Sequence, residues 1–177
     1  MKIVRAFQGL ALAAAVLATG CAAPYKDISI DTETNPKVNF DGYNTYAWSG
    51  QTAVLRDPDM EWTAPDLDIG AEIQHIVNRE LRARNMTEVV DSPDVHVMFA
   101  VGVDMKSLDV VVDPESKIER WEEIPKGAVM VILADPESHR VMWYGTAEGD
   151  IDTSRSVSEG RARLDHAIRQ MFKKLPL

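Results

Sequence analysis

Cys21 is the one cysteine in a chain of 177 residues. A lone thiol cannot close an internal disulfide, and in an oxidising compartment a free one is a liability. The other reactive side chains are scattered. His75, His96, His139 and His166 fall on a predicted helix, strand, turn and helix, and no two have the spacing of zinc ligands. His96, flanked by Asp94 and Met98 on one strand face, is the histidine best placed for a site; the simpler reading is a partly exposed strand residue. Asp57 with Asp59, Glu122 with Glu123, and Asp150 with Asp152 have the residue types for a general acid–base pair or for calcium ligation. With 28 acids in the chain, such pairs also arise by chance. The sequence has no GxSxG, HExxH, GxGxxG or phosphate-binding loop. It therefore assigns no catalytic, cofactor-binding or metal-ligating residue and implies no cofactor. Of the adjacent rings Trp143 and Tyr144, one must face away from the core if they share a strand.

The residues before Cys21 give its thiol a use. Lys2 and Arg5 open the chain without an acid, and Gly9 to Ala18 are nearly all Ala, Leu and Val. Thr19 and Gly20 then lead into the cysteine. A basic start, an apolar run and a small-residue exit predict a secretory signal peptide over residues 1–20. The run is shorter than the roughly 20 residues a membrane-spanning helix needs. A buried helix of a cytosolic protein would leave the basic flank and the exit unexplained. The stretch Leu17-Ala-Thr-Gly-Cys21 resembles a bacterial lipobox, whose cysteine is lipidated and becomes the first residue after cleavage. Ala18 stands where that motif most often has Leu. The alternative is an ordinary signal-peptidase cut near Ala13 to Ala15 or at Ala23. The resemblance implies lipidation at Cys21 and a membrane partner reached through that lipid. Two or three acyl chains hold a protein at a membrane, where one chain binds only reversibly. Ala22, not Asp, follows the cysteine, which by the same resemblance points to the periplasmic leaflet of the outer membrane.

The length remaining after residue 20 suits one ordinary domain able to bury its own core. The formal charge is −9, and removing Lys2 and Arg5 makes it more negative. Phosphate attraction needs clustered Lys and Arg, so a nucleic-acid partner is excluded. Anionic lipid would repel the domain, which leaves anchoring to the lipid on Cys21.

The elements follow from periodicity. Asp27 to Glu33 alternates as a strand, and Tyr43, Tyr46 and Trp48 suit a second after a turn at Gly42. Residues 49–64 read as loop. A helix is expected from near Pro65, with Ile69, Ile73, Ile76, Val77 and Leu81 on one face and Asn85 as its stop. A short strand at 86–90 follows. Val95, Val97, Phe99, Val101 and Val103 share one face of a long strand. Val110 to Val112 is expected to extend the sheet, and residues 113–126 to form a loop or hairpin arm. Residues 127–135 and 139–151 read as a hairpin. A second helix opens with the capping box Ser156-x-x-Glu159, carries Val157, Leu164, Ile168, Met171, Phe172 and Leu175 as its stripe, and pairs Glu159 with Arg163 and Asp165 with Arg169. The pattern predicts an α+β fold: a two-layer sandwich of a mostly antiparallel sheet and two amphipathic helices, spanning residues 27–177 as a single domain. Residues 21–26 would be a short lipid-anchored tether.

Four phrases carry a wider resemblance: FDGYNTYAW (40–48), GAVMVILAD (127–135), VMWYGTAEG (141–149) and a last helix closing in MFKKLP (171–176). With this layout they resemble the bacterial envelope lipoproteins grouped as domain of unknown function 4136. That resemblance implies a lipid-anchored α+β domain and carries over no enzyme activity and no functional residues. The expectation is a non-enzymatic binding or structural module facing the periplasm, working close to the membrane with an envelope protein or the cell wall as partner. Two alternatives are a hydrolase of envelope material using paired carboxylates and a carrier of a small apolar ligand between sheet and helices.

Overall fold

The computed structural model describes residues 25–50, 53–54, 67–104, 108–112, 119–123 and 125–177. The strands are β1 (Ser29–Thr34), β2 (Thr45–Trp48), β3 (Ala53–Val54), β4 (Thr87–Glu88), β5 (Val95–Asp104), β6 (Leu108–Val112), β7 (Glu119–Glu123), β8 (Lys126–Ala134) and β9 (Val141–Asp150). The helices are α1 (Ile69–Arg82) and α2 (Val157–Phe172). Seven strands form one sheet in the order β1-β9-β8-β5-β2-β4, with β3 also paired to β5. The long pairings, β1 with β9, β8 with β9 and β5 with β8, are antiparallel, while β2, β3 and β4 join in short parallel pairings. The fold is α+β with a mostly antiparallel sheet.

Alternation decides which face meets the helices. Val95, Val97 and Phe99 of β5 are buried, and the register sets Val97 beside Leu133, which lies beside Trp143. His96, Met98 and Ala100 point to the opposite face and stay half-buried. The helices bring Ile73, Ile76, Val77 and Leu81 from α1, and Ala167, Ile168, Met171 and Phe172 from α2, into the same core. Each of these side chains larger than alanine contributes about 1.5–3 kcal/mol on burial, so the two apolar stripes are the main reason the helices lie on the sheet.

Several boundaries differ from expectation. Helix α1 starts later than Pro65, at Ile69, because Asp68 caps it by accepting the Ala71 amide at 3.0 Å. It ends at Arg82, and Asn85 takes the left-handed conformation (φ 63°) that halts the chain's helical course. The stretch expected as loop contains β3, and the strand expected at 86–90 shrinks to β4. Val110 to Val112 does not extend the main sheet: among the described residues β6 pairs only with β7, as a separate two-stranded arm between β5 and β8 in the chain. In α2 the capping box is formed as read. Asp165 meets Arg169 at 3.2 Å, but Glu159 is used by the cap and Arg163 turns elsewhere.

Candidate functional site

Large side chains fill the core at one end of the sheet. Tyr46, Leu133, Trp143 and Phe172 are wholly buried there. Along the same strands the residues shrink toward the other end, to Val129 and Gly127 on β8 and to Ala147 and Gly149 on β9. The buried stripe of α2 shrinks with them, from Phe172 and Ile168 back through Leu164 to Gly160. Small residues on three facing elements leave a space between layers held apart by larger ones. It is a cavity of about 220 Å³, walled by Ile69 and Ile73 of α1, Val101, Val129 and Ala147 of the sheet, and Leu164 of α2.

Polar side chains sit at its rim, where Asp150 and Arg163 are engaged by neighbours. Arg163 reaches from α2 to Asp27, donating to its carboxylate through both terminal nitrogens, one contact at 3.1 Å. The same carboxylate accepts the Asp150 amide at 3.1 Å. Hydrogen bonds from Arg163, the largest influence, hold the Asp27 carboxyl below its ordinary pKa. Gly149 permits this approach, since a Cβ there would lie 3.1 Å from Ile28 and 3.2 Å from Arg163. The Asp150 carboxylate meets Lys126 at 2.6 Å. A second hollow of about 260 Å³ adjoins the cavity through Leu67, Gly160 and Arg163 and is lined by Asp152, Arg155 and Ser156. Arg155 donates to the Asp150 carbonyl at 2.7 Å, and its Nε stands 3.7 Å from Asp152.

The other sequence candidates fall in separate places. Cys21, Asp57 and Asp59 lie outside the described residues, and Glu122 and Glu123 lie on β7 of the arm. Asp150 and Asp152 do not act as a pair: one meets Lys126, while the other accepts from the Ser154 amide and hydroxyl, which lower its pKa. Asp94 is a strand staple that accepts the Asn44 and Thr45 amides and the Thr45 hydroxyl. His96 stacks on His139, ring centroids 6.5 Å apart, and His166 lies against Tyr25 at 4.2 Å. His75 is exposed on α1. Among the described residues no group of three His, Cys, Asp or Glu side chains is arranged to hold a metal. Trp143 is buried, and Tyr144 is the ring that turns outward, donating to Glu33 at 2.6 Å. Tyr46 and Trp48 pack in or against the core, both donating to the Asn78 side-chain oxygen at 2.9 Å. Asp150 and Asp152 both line the second hollow, and Glu72 and Asp165 both line a third of about 430 Å³, but each of the four is engaged by a neighbouring cation or hydroxyl.

Two residues of this site carried a different meaning in the sequence. Arg163 stands at i+4 from Glu159, the spacing of a helix ion pair, yet Glu159 is already the reciprocal member of the capping box. That prior use was the available signal. Gly160 reads as a cost to the helix of about 1 kcal/mol, but it also sits four residues before Leu164, on the buried stripe.

No curated protein matches the sequence. Among solved structures, a DUF4136 family protein from Bacteroides thetaiotaomicron aligns with TM-score 0.54 at 12% identity, covering 84% of this chain and 95% of that one. A PDZ domain protein from Parabacteroides distasonis aligns with TM-score 0.52 at 13% identity over 88% of this chain, which spans only 38% of that longer protein. At such identities the likeness concerns the fold alone. The model of the domain of unknown function DUF4136 matches residues 30–177, nearly the whole described fold, and the chain belongs to that family.

Proposed function

We propose that this protein is a lipid-anchored module of the bacterial cell envelope that faces the periplasm and works by binding, close to the membrane that holds it. One observation carries the reading: the fold begins almost at the anchor. Tyr25 lies against His166 and Asp27 is clamped by Arg163, so both ends of the Tyr25–Asp27 turn are fastened to α2. Four residue steps separate Cys21 from Tyr25, a reach of at most about 14 Å. The domain therefore rides on the bilayer surface once Cys21 is lipidated. Its partner is a neighbouring membrane protein, the lipid itself or the nearest cell-wall layer. Ala22 supports the periplasmic leaflet of the outer membrane as the location. The acids that line the hollows are each engaged by a neighbouring cation or hydroxyl, which favours binding over hydrolysis.

The test has two arms. Cys21→Ala should leave precursor or soluble protein in place of a membrane-bound, processed form. A flexible insert of about 30 residues between Ala23 and Pro24 should keep the protein folded and anchored, free its reach, and impair envelope function. A processed Cys21→Ala protein that still needs detergent for release refutes the anchor. Full function with the long insert refutes the demand for proximity.

A further inference from the structure

From the cavity between the sheet and the N-terminal ends of the helices, we infer that the protein binds a single fatty-acyl chain, taken from the membrane beneath it. The cavity wall is mostly hydrocarbon, isoleucine, valine, leucine and alanine, and Arg163 and Asp150 at its rim are already engaged. At about 220 Å³ it is larger than the roughly 150 Å³ enclosed apolar cavity that accepts benzene, and it is open on one side, which gives a chain a way in. An apolar cleft of this size gains contacts from an apolar guest and offers water few polar partners.

Its position selects the guest. Ile28 lines the cavity one residue after Asp27, at the end of the fold fastened nearest to Cys21. Six residue steps separate Cys21 from Asp27, about 22 Å at full extension. The cavity is thus within a short distance of acyl chains if Cys21 carries lipid. The adjoining hollow suits the other end of such a molecule. It shares Gly160 and Arg163 with the cavity and presents Arg155, whose contact to Asp152 is long at 3.7 Å. A carboxylate headgroup placed there would meet that guanidinium while its tail enters the cavity. The α2 N-terminus is not part of this recognition, because Glu159 already accepts the Ser156 amide.

This inference rests on the membrane-proximal reading for the source of the ligand but not for the cavity, and the experiment separates the two. The lipidated protein is reconstituted into vesicles of phosphatidylethanolamine and phosphatidylglycerol containing a trace of palmitate with a mid-chain diazirine. After irradiation, the adducts are mapped by mass spectrometry. They should fall on peptides holding Ile73, Val129 or Leu164, and excess unlabelled palmitate should suppress them. Gly160→Leu is the informative variant, since a Cβ at Gly160 has no atom within 4 Å. The new side chain should enter the cavity and cut the adducts about tenfold or more while the melting temperature holds or rises. Gly160→Met, more flexible, serves if Leu disturbs folding. Adducts confined to the outer surface, or unchanged in the filled variants, overturn the proposal. So do adducts that appear only in Cys21→Ala, which would mean that the anchor's own chain already occupies the cavity. If the protein proves not to be lipidated, the same palmitate given in solution to the soluble chain still tests the cavity, so failure of the anchor is not mistaken for failure of the site.

Discussion

Asp27 and Arg163 stand 136 residues apart and meet in a two-pronged ion pair that fastens the start of the fold to α2. The Asp27 carboxyl also takes the Asp150 amide, so one side chain joins the entry of the chain, the last strand and the last helix. The pair forms part of the cavity rim and shortens the tether to the expected anchor.

Asp27→Asn should therefore lower stability at neutral pH by about 1–2 kcal/mol, less than the roughly 3 kcal/mol upper end for charged hydrogen bonds because solvent screens part of it. The pH dependence has a definite sign. The folded pKa of Asp27 lies below its unfolded value near 3.9. The pair's contribution is then fully present above that value and is lost as pH falls through the folded pKa. Urea midpoints of parent and variant should differ most near neutral pH, begin to approach each other below about pH 4, and converge only once pH has fallen through the folded pKa. A gap that stays constant into strong acid would show that Asp27 acts through shape and not charge.

Ile168 is wholly buried in the stripe of α2. Ile168→Asp places a carboxylate among Trp143, Met171 and their neighbours with no designed partner, at a cost of several kcal/mol. Because total stability is typically about 5–15 kcal/mol, the variant should lose its cooperative thermal transition or melt far lower. An unchanged melting curve would place this face in solvent.

Gly145 and Gly160 should respond to alanine in opposite directions. A Cβ on Gly145 would stand 2.8 Å from Trp143 and 3.0 Å from Met171, both buried. Gly145→Ala should destabilise by about 1–3 kcal/mol through overpacking. Gly160→Ala meets open space inside a helix and should stabilise by about 1 kcal/mol. Chemical denaturation of the two variants beside the parent checks both signs.

The Asn78 side-chain oxygen accepts from both the Tyr46 hydroxyl and the Trp48 indole. Asn78→Ala leaves two donors short of an acceptor and should cost about 1–3 kcal/mol. Adding Tyr46→Phe should cost less than the sum of the single changes, since the two share one interaction. Strict additivity in such a cycle would mean that the hydroxyl draws nothing from Asn78.

Local order was legible in the chain itself. The two-residue alternation of Val95 to Val101, the helical recurrence of Ile73, Ile76, Val77 and Leu81, and the Ser156–Glu159 box name their elements because each rests on neighbours a few positions away. The outward turn of one ring in Trp143-Tyr144 follows from the pleat alone. The signals around Cys21 are equally local, and they were readable without a fold. What tertiary structure decided depends on distant partners. Arg163 had a suitable acid at i−4, and only packing put Asp27 beside it while the cap took Glu159. The β6–β7 arm has strand-forming residues, but which sheet they join is a matter of strand order, which no local pattern encodes. The cavity is the clearest case. Gly127, Ala147 and Gly149 are unremarked small residues along the chain and Gly160 reads only as a cost to its helix, and they make a space only because three elements bring them to the same end of the core.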